Sequence, residues 1–530
     1  MKTIGTALIA ILLALPNLGC QVPLKAYRLN HPAIEVPPPL PLSASVVPAA
    51  TADKDCEIKS SICLAFIELD DMGEPYRKGQ LDTALRVIRE ANAAAAEAAP
   101  DAAPIVITFV HGWKNNASED NGNVKGFTAA LREIYGRAGG RRVIGIYIGW
   151  RGDLVSKYMP IARQFTYYNR EATAIRIPGV TLASALTQIA ATAHENRNSS
   201  VTFVGHSFGG LLLERTISEA TASQIAQASI FEHDAIKADA AAVKAPQEEA
   251  KKAALRQVAV EKHQAALLAT DARPDLVVFI NPAGAATEAK QMLDFLTGSQ
   301  LSFQPSTSDS HISLNHDDDR PLFVSLSSTT DLATKVALPI GHYLPYVKFK
   351  LYGSFRSLGG SPDEAYSLKC YDPHKKPPYS EEKTKSEGAQ AQGSNYLSSA
   401  PHTQVLQSHV MLKTVSANEM KVASTGDVIH FTNSKAIAGC DRQLLNQEHP
   451  GIVSTFRLSD TNTCFAVQEK TDRCNGTPYW IMELDPDVVP DHGTIFTQRF
   501  IEFLIDTFFT PSQKGSVLHR DNPVLKVSVQ

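Results

Sequence analysis

A serine flanked by glycines stands where an apolar strand is predicted to turn into a helix. The motif Gly-His-Ser-Phe-Gly at 205–209 follows the apolar run 201–204 and precedes a leucine-rich segment. A sharp strand-to-helix turn exposes a serine oxygen, and small flanking residues let the strand and the helix approach each other. The helix N-terminus adds a partial positive potential where negative charge develops on a reacting group. We therefore predict that Ser207 is a nucleophile rather than an incidental serine in a glycine-rich turn.

A serine hydroxyl alone is a poor nucleophile, so an orienting acid and a base are expected elsewhere in the chain. In a mostly parallel sheet such groups gather at the carboxyl ends of the strands. Asp331 follows the predicted strand 322–326 and lies at that end, although its side chain could instead cap a following helix. Asp275 and the run 317–319 precede their strands, at the opposite end. We predict that Asp331 is the orienting acid.

A histidine near the end of the chain has the best setting for the base. His492 lies in a loop between the predicted strand 480–484 and a predicted amphipathic helix at 496–509. Its neighbour Asp491 is interpreted as a loop residue rather than as the orienting acid. The other downstream histidines lack this strand-loop-helix setting and are interpreted as surface or structural residues, notably His342, His430 and His449.

The elbow at 205–210 and the tripeptide His-Gly-Trp at 111–113 together resemble the α/β-hydrolases of the esterase and lipase group. The segment 66–71 resembles the first strand of uncharacterised bacterial members, and 490–493 resembles the terminal histidine loop of the family. The resemblance implies an α/β fold, with a mostly parallel sheet covered by helices on both faces. It also implies a Ser-His-Asp mechanism that requires no cofactor.

The position of the His-Gly-Trp tripeptide, directly after the predicted strand 104–110, is that of the first oxyanion loop in this family. The resemblance implies that the backbone N–H groups of Trp113 and Phe208 form the oxyanion hole. For His111 we expect a place beneath this loop, held through a ring hydrogen bond, rather than a direct part in catalysis.

The elements that must position these residues alternate along the chain. Apolar runs of strand length take turns with helical patterns, which favours a mostly parallel sheet with helices on both faces. The predicted strands are 64–69, 104–110, 143–150, 201–204, 275–280, 322–326 and 480–484, and the predicted helices are 81–98, 127–135, 181–194, 209–223 and 496–509.

Two stretches interrupt the alternation and are predicted to be insertions. Residues 224–272 are rich in Ala, Lys, Glu and Gln, with a break near Pro246, and are interpreted as a packed helical flap or a partner-binding arm. The predicted organisation is a signal peptide at 1–19, a Pro-rich tether at 20–58, a hydrolase core at 59–344, a lid-like insertion at 345–475, a returning core strand and helix at 476–515, and a tail at 516–530.

The N-terminus resembles a bacterial lipoprotein signal. Lys2 precedes an apolar run at 7–15, too short to span a bilayer, and Asn-Leu-Gly-Cys follows at 17–20. Asn17 departs from the leucine usual at that position. The resemblance implies lipidation of Cys20 and an exported protein anchored in the outer membrane, periplasmic or at the surface. The alternative is ordinary signal cleavage that leaves Cys20 as a structural cysteine.

The remaining cysteines are even in number, which in an exported protein predicts disulfides. The simplest pairing joins Cys56 to Cys63, Cys464 to Cys474 and Cys370 to Cys440, but spacing alone leaves many pairings open. No cysteines show metal-ligand spacing. His311, His316 and the run 317–319 could hold a divalent cation, although a solvated acidic loop is the simpler interpretation, so no metal is predicted.

Composition excludes several classes of protein. Hydrophobic residues make up 43% and charged residues 20% of the chain, as in ordinary globular proteins. The formal net charge is −4, and no basic cluster interleaved with aromatics predicts a nucleic-acid partner.

The sequence predicts a serine hydrolase of carboxylic esters, with a small-molecule or lipid ester as substrate. A thioesterase, or an amidase or peptidase, would use the same triad. A binding or scaffold protein of the envelope that has lost catalysis is the alternative of a different class. The lid-like insertion and the membrane anchor favour a long-chain ester, although lids serve many substrates.

Overall fold

The computed structural model describes residues 25–39, 54–98, 102–155, 166–245, 249–284, 322–333 without 329 and 332, and 479–509 without 485 and 487. It also describes the separate short strands 312–315, 408–411, 429–431, 452–457, 464–468 and 526–529. The predicted signal peptide and Cys20 lie outside these residues, as do His342, His449, Cys370, Cys440, Cys474 and the run 317–319.

Strands and helices alternate over the first half of the chain, as the sequence predicts. The strands are β1 (Ala33–Glu35), β2 (Ile62–Glu68), β3 (Ile105–Val110), β4 (Val143–Gly149), β5 (Ser200–His206), β6 (Leu276–Ile280), β7 (Ile312–Asn315), β8 (Phe323–Ser328), β9 (Ser408–Met411), β10 (Ile429–Phe431), β11 (Ile452–Arg457), β12 (Cys464–Gln468), β13 (Tyr479–Leu484) and β14 (Lys526–Val529). The helices are α1 (Gly79–Ala98), α2 (Gly122–Arg137), α3 (Tyr167–Arg176), α4 (Val180–His194), α5 (Phe208–Lys244), α6 (Glu249–Asp271) and α7 (Gln498–Leu504), and a π-helix (Ile505–Phe509) continues α7.

The main sheet has 9 strands in the order β1-β2-β4-β3-β5-β6-β8-β13-β9. Its pairs are parallel except for the antiparallel pair of β1 and β2 at one edge. The central strands, such as β3 with the sequence IVITFV, are buried along their whole length. Continuous apolar runs of this kind are typical of parallel strands covered on both faces.

Helices cover both faces of the sheet and enclose two hydrophobic cores. On one face, α1, α4 and α5 bury side chains such as Ile88, Ile189 and Leu212. On the other face, α2 and α7 bury side chains such as Leu131 and Phe503. The predicted α/β architecture, with a mostly parallel sheet between helices, is therefore confirmed.

Residues 224–272 form a helical hairpin, made of the second half of α5 and all of α6. Gln224 Nε2 donates to the carbonyl of Ala272 at 3.3 Å, and Lys262 Nζ lies 3.9 Å from Asp234 Oδ2, so the two helices run antiparallel. The first helix ends at Lys244 and the second begins at Glu249; Pro246, where the break is predicted, lies outside the described residues. Small side chains buried along the hairpin let its helices approach closely, which gives the alanine-rich composition a packing reason; they are Ala235, Ala238, Ala242 and Ala259.

The prediction that 20–58 is a mobile tether is wrong for residues 25–39. Ala33 and Ile34 are buried, and β1 pairs with β2 at the edge of the sheet. The buried carboxylate of Glu68 accepts hydrogen bonds from the backbone N–H groups of Tyr27 at 2.7 Å and Arg28 at 2.8 Å. The segment is thus part of the sheet edge, because its backbone polar groups have partners there.

Two further boundaries differ from the prediction. β9 lies within the predicted lid-like insertion 345–475, yet it pairs in parallel with β13 in the main sheet. β14 lies within the predicted tail 516–530 and pairs antiparallel with β7. The other described strands of the insertion, β10, β12 and β11, form a separate small sheet.

The predicted disulfide between Cys56 and Cys63 is present, with Cα atoms 5.7 Å apart. It closes a loop just before β2 and holds the start of this strand. Within the described ranges, no single helix has the length and apolar character to cross a membrane, although α3 and α4 taken together, with a 63° bend between them, meet both criteria.

The contacts of Glu68 allow a test of how firmly residues 25–39 are attached. Glu68→Gln replaces one of the two carboxylate oxygens that accept from the N–H groups of Tyr27 and Arg28 with an amide NH₂, which cannot accept. We therefore expect the free energy of unfolding to fall by about 1–3 kcal/mol. Chemical denaturation followed by circular dichroism measures this change. Glu57→Gln, at an exposed surface pair with Lys54 and Lys59, is the matched control and should have little effect. Equal stability of Glu68→Gln and wild type would contradict the attachment.

Candidate active site

Ser207 occupies a sharp turn between β5 and α5. Its backbone angles are φ 56° and ψ −123°, in a region that non-glycine residues rarely enter. Its N–H donates to the carbonyl of Ile280 at 3.0 Å, and its own carbonyl accepts from Leu211 and Ala283. Together these three hydrogen bonds fix the turn and hold Ser207 in this conformation.

The turn needs glycines because backbone segments cross there. A methyl group on Gly205 would lie 2.7 Å from the carbonyl oxygen of Gly209, and one on Gly209 would collide with the carbonyls of Val110 and His111. The glycines that the sequence places on both sides of Ser207 therefore allow β3, β5 and α5 to meet at this point.

The structure brings Ser207, His492 and Asp331 together. His492 Nε2 lies 2.7 Å from Ser207 Oγ, and His492 Nδ1 lies 2.8 Å from Asp331 Oδ2. The three residues come from the ends of β5, β8 and the loop after β13, and β6 lies between β5 and β8 in the sheet. The chain thus converges at the carboxyl ends of neighbouring parallel strands, as the position of each residue predicts.

The partners of His492 decide where its proton sits. An ionised carboxylate only accepts hydrogen bonds, so His492 Nδ1 carries the proton that it donates to Asp331. In the neutral ring, Nε2 then holds a lone pair that accepts the hydroxyl proton of Ser207. The Asp331 side chain is 0% exposed, whereas that of His492 is 24% exposed. Of this pair, only the imidazole is therefore in contact with solvent.

Asp331 makes both contacts that the sequence left as alternatives. Its Oδ1 accepts from the backbone N–H of Ala333 at 2.9 Å, a local capping contact, while Oδ2 accepts from His492. Asp491 behaves as the predicted loop residue, because its carboxylate accepts from Gly493 and Thr494. Asp275 lies at the opposite end of the sheet, where it accepts from the N–H of Val201.

The loop after β3 lies against the serine. A methyl group on Gly112 would lie 2.7 Å from Ser207 Cβ and 2.9 Å from the carbonyl of His206, so only glycine fits there without displacement. Trp113 follows Gly112, and Phe208 follows Ser207 as the first residue of α5. Each predicted oxyanion donor therefore follows one residue of the contact pair Gly112 and Ser207.

His111 orients this loop from below. The ring is 0% exposed; Nδ1 lies 2.9 Å from the Gly112 carbonyl, and Nε2 accepts from the Trp150 N–H at 3.0 Å. Burial lowers the pKa of His111 to about 4, so the ring is neutral and donates through Nδ1. In a trans peptide the N–H points opposite to the C=O, so the Trp113 N–H points away from this ring. The predicted place of His111 beneath the loop is confirmed.

Aromatic side chains form a wall beside the serine. The rings of Trp113, Tyr167 and Phe208 lie 5.2–6.3 Å apart, centroid to centroid. The indole N–H of Trp113 donates to Thr166 Oγ1 at 2.9 Å, which fixes the ring plane. This aromatic wall, defined by the three rings, includes the residue that directly follows Ser207, and Trp113 and Tyr167 are only partly buried.

Two residues that the sequence analysis did not assign contact the His492 backbone. His206 Nε2 lies 2.8 Å from the His492 carbonyl, and Asn281 Nδ2 lies 3.2 Å from the same oxygen. Asn281 comes directly after β6, at the same sheet edge as Asp331, and that position is the signal that could have identified it.

Of the other candidate histidines, the structure describes only His430. His430 lies in β10, within the small separate sheet. Among the residues that the structure describes, no cluster of His, Cys, Asp and Glu could hold a metal ion. Comparisons of the chain with protein-family models, with curated proteins and with solved structures gave no significant match.

The contact between Gly112 and Ser207 gives a test of the site geometry. Gly112→Ala should push the loop away from the serine and lower the rate at which an organofluorophosphonate labels Ser207 by about 10²-fold. Gly136→Ala, in α2 where an added methyl meets nothing within 4 Å, is the control and should label as wild type does. In-gel fluorescence over time measures both rates. An unchanged rate in Gly112→Ala would contradict this packing.

Proposed function

We propose that the protein is a serine hydrolase of the α/β-hydrolase type that cleaves carboxylic esters. The observation that carries the proposal is the position of the His492 ring, with one nitrogen 2.7 Å from Ser207 Oγ and the other 2.8 Å from Asp331. A hydroxyl, an imidazole and a buried carboxylate in this order form the arrangement that activates serine in hydrolases.

In the proposed reaction, Ser207 Oγ attacks the ester carbonyl while His492 Nε2 takes the hydroxyl proton. Asp331 holds the ring in the tautomer that leaves Nε2 free to accept, and it stabilises the imidazolium that forms. His492 then gives the proton to the leaving alcohol. Water, with His492 again as base, hydrolyses the acyl-enzyme and restores Ser207.

The negative charge of the tetrahedral intermediate needs donors that are already in place. The backbone N–H groups of Trp113 and Phe208 are proposed for this role. Support comes from the contact of Gly112 with Ser207 and from the His111 ring, which turns the Trp113 N–H away from itself. The N-terminus of α5 adds a partial positive potential at the same place.

An acyl chain is the proposed occupant of the aromatic wall formed by Trp113, Tyr167 and Phe208. One member of the wall, Phe208, directly follows Ser207, and the other two are only partly buried, so apolar surface remains for a substrate. Together with the membrane anchor expected from Cys20, this favours an apolar ester from an envelope or lipid source. A thioesterase or amidase on the same triad is the alternative that substrate profiling separates.

The nucleophile is tested by covalent labelling. We expect wild type to react stoichiometrically with a fluorophosphonate probe and Ser207→Ala not to react. On nitrophenyl esters, Ser207→Ala should lower kcat by several orders of magnitude, about 10⁶-fold in comparable triads. Ser325→Ala, which truncates another buried serine, is the control and should label normally. Absence of labelling in folded wild-type protein would favour a binding protein over an enzyme.

The acyl preference is tested with nitrophenyl esters of increasing chain length. We expect kcat/KM to rise with chain length in wild type, because longer chains cover more apolar surface. Trp113→Ala should weaken this rise by raising KM for long chains, by about tenfold for a loss of 1–2 kcal/mol of contact. Preference for acetate in wild type, unchanged in Trp113→Ala, would exclude the aromatic wall as an acyl site.

A further inference from the structure

The backbone carbonyl of His492 accepts two side-chain hydrogen bonds. His206 Nε2 lies 2.8 Å and Asn281 Nδ2 lies 3.2 Å from this oxygen. His206 ends β5 and directly precedes Ser207, whereas Asn281 directly follows β6. The backbone of the base is thus tied to the strand that carries the nucleophile and to the strand beside it.

The direction of the bond from His206 is fixed by its partner. A carbonyl oxygen only accepts, so Nε2 of His206 carries the proton. The side chain is 3% exposed. Burial, and then the proximity of His492, lower the pKa of His206 to about 3, so the ring stays neutral at ordinary pH. His206 is therefore a constant donor that takes no part in proton exchange.

The amide of Asn281 is oriented in the same way. Its Oδ1 accepts from the backbone N–H of Ser328 at 2.8 Å, which turns Nδ2 toward the His492 carbonyl. Its own N–H donates to the carbonyl of Leu326 at 2.7 Å. The backbone of Asn281 is left-handed, with φ 44°, a conformation that asparagine tolerates better than most residues. The residue is 1% exposed and links β6, β8 and the histidine loop.

The backbone carbonyls just before His492 also accept hydrogen bonds from side chains. Ser328 Oγ donates to the carbonyl of Val489 at 2.7 Å, and Thr330 Oγ1 donates to that of Pro490 at 2.7 Å. Asn281 Nδ2 also lies 3.4 Å from the carbonyl of Asp491. Consecutive carbonyls from 489 to 492 therefore have side-chain donors from β5, from β8 and from residues that follow β6 and β8.

We propose that His206 and Asn281 are positioning residues, which hold the backbone of His492 so that its ring reaches Ser207 and Asp331 at the same time. The inference rests on the proposed function, because it assigns residues that act through the proposed base. Neither residue touches the reacting atoms. Their effect is geometric, and a displacement of 1 Å at a catalytic group costs about 10²-fold in rate.

The experiment compares two amides at position 206 in the full chain. His206→Gln places its amide nitrogen near the position of the imidazole Nε2 and keeps the donor, whereas His206→Asn is too short to reach. Each variant is labelled with a fluorophosphonate over a range of probe concentrations. This separates the maximal labelling rate from the concentration that gives half of it. Thermal unfolding is recorded alongside.

We expect His206→Asn to lower the maximal rate by about 10- to 100-fold with the half-saturating concentration unchanged. His206→Gln should recover most of the rate. Asn281→Asp keeps the acceptor for Ser328 and the left-handed backbone but loses the donor, so it should also slow the maximal rate. If His206→Asn does not fold, Asn281→Asp provides the test in its place. His194→Asn, at the opposite end of the sheet beside Asp275, should lower the melting temperature without slowing the labelling.

Other outcomes overturn the inference. If the two amides at 206 slow labelling equally, or neither does, His206 does not position the base. A change confined to the half-saturating concentration would assign it to probe binding instead. If wild type is labelled and the variants match it, the inference fails while the proposed function stands. If folded wild type is not labelled, both fail.

Discussion

The imidazole ring of His492 has to contact two side chains at once, one at each ring nitrogen. The nitrogens of His492 lie 2.7 Å from Ser207 and 2.8 Å from Asp331, and a rigid ring leaves little tolerance in either distance. The order of the sheet meets this demand. β5, β6, β8 and β13 are neighbours and parallel, so the loops that follow them open onto one edge. Side chains of Asn281, Ser328 and Thr330 donate to backbone carbonyls of the loop that carries the ring.

Three histidines at this edge of the sheet differ in exposure, and the proposed mechanism gives the buried and the exposed rings different roles. His111 and His206 are buried, and burial lowers the pKa of His111 to about 4 and of His206 to about 3. Both are fixed neutral donors to backbone carbonyls. His492 differs from them in that 24% of its side chain is exposed. In the proposed mechanism it alone exchanges protons, while the buried rings set the geometry in which it does so.

The central strands and the triad could be predicted because their signals are local. Apolar runs such as IVITFV in β3 indicate a buried parallel strand. Once β8 is recognised in the same way, Asp331 is seen to lie at its carboxyl end. β1 and β9 escaped prediction because they are short and lie in Pro-rich or irregular surroundings. The contact of Asn281 with His492 escaped for another reason. It joins residues 211 positions apart; the position of Asn281 directly after β6 indicates the correct sheet edge but not the carbonyl to which its side chain donates.

The backbone of Ser207 has a consequence for how the protein can change. A non-glycine residue at φ 56° and ψ −123° costs on the order of 1–3 kcal/mol, because its Cβ crowds the chain. Glycine would relieve that cost at this position and remove the hydroxyl as well. Selection for thermal resistance alone, in the laboratory or in nature, would therefore favour a more stable descendant that lacks the hydroxyl. Under the proposed function, keeping the serine would require selection on turnover, which acts against this gain in stability.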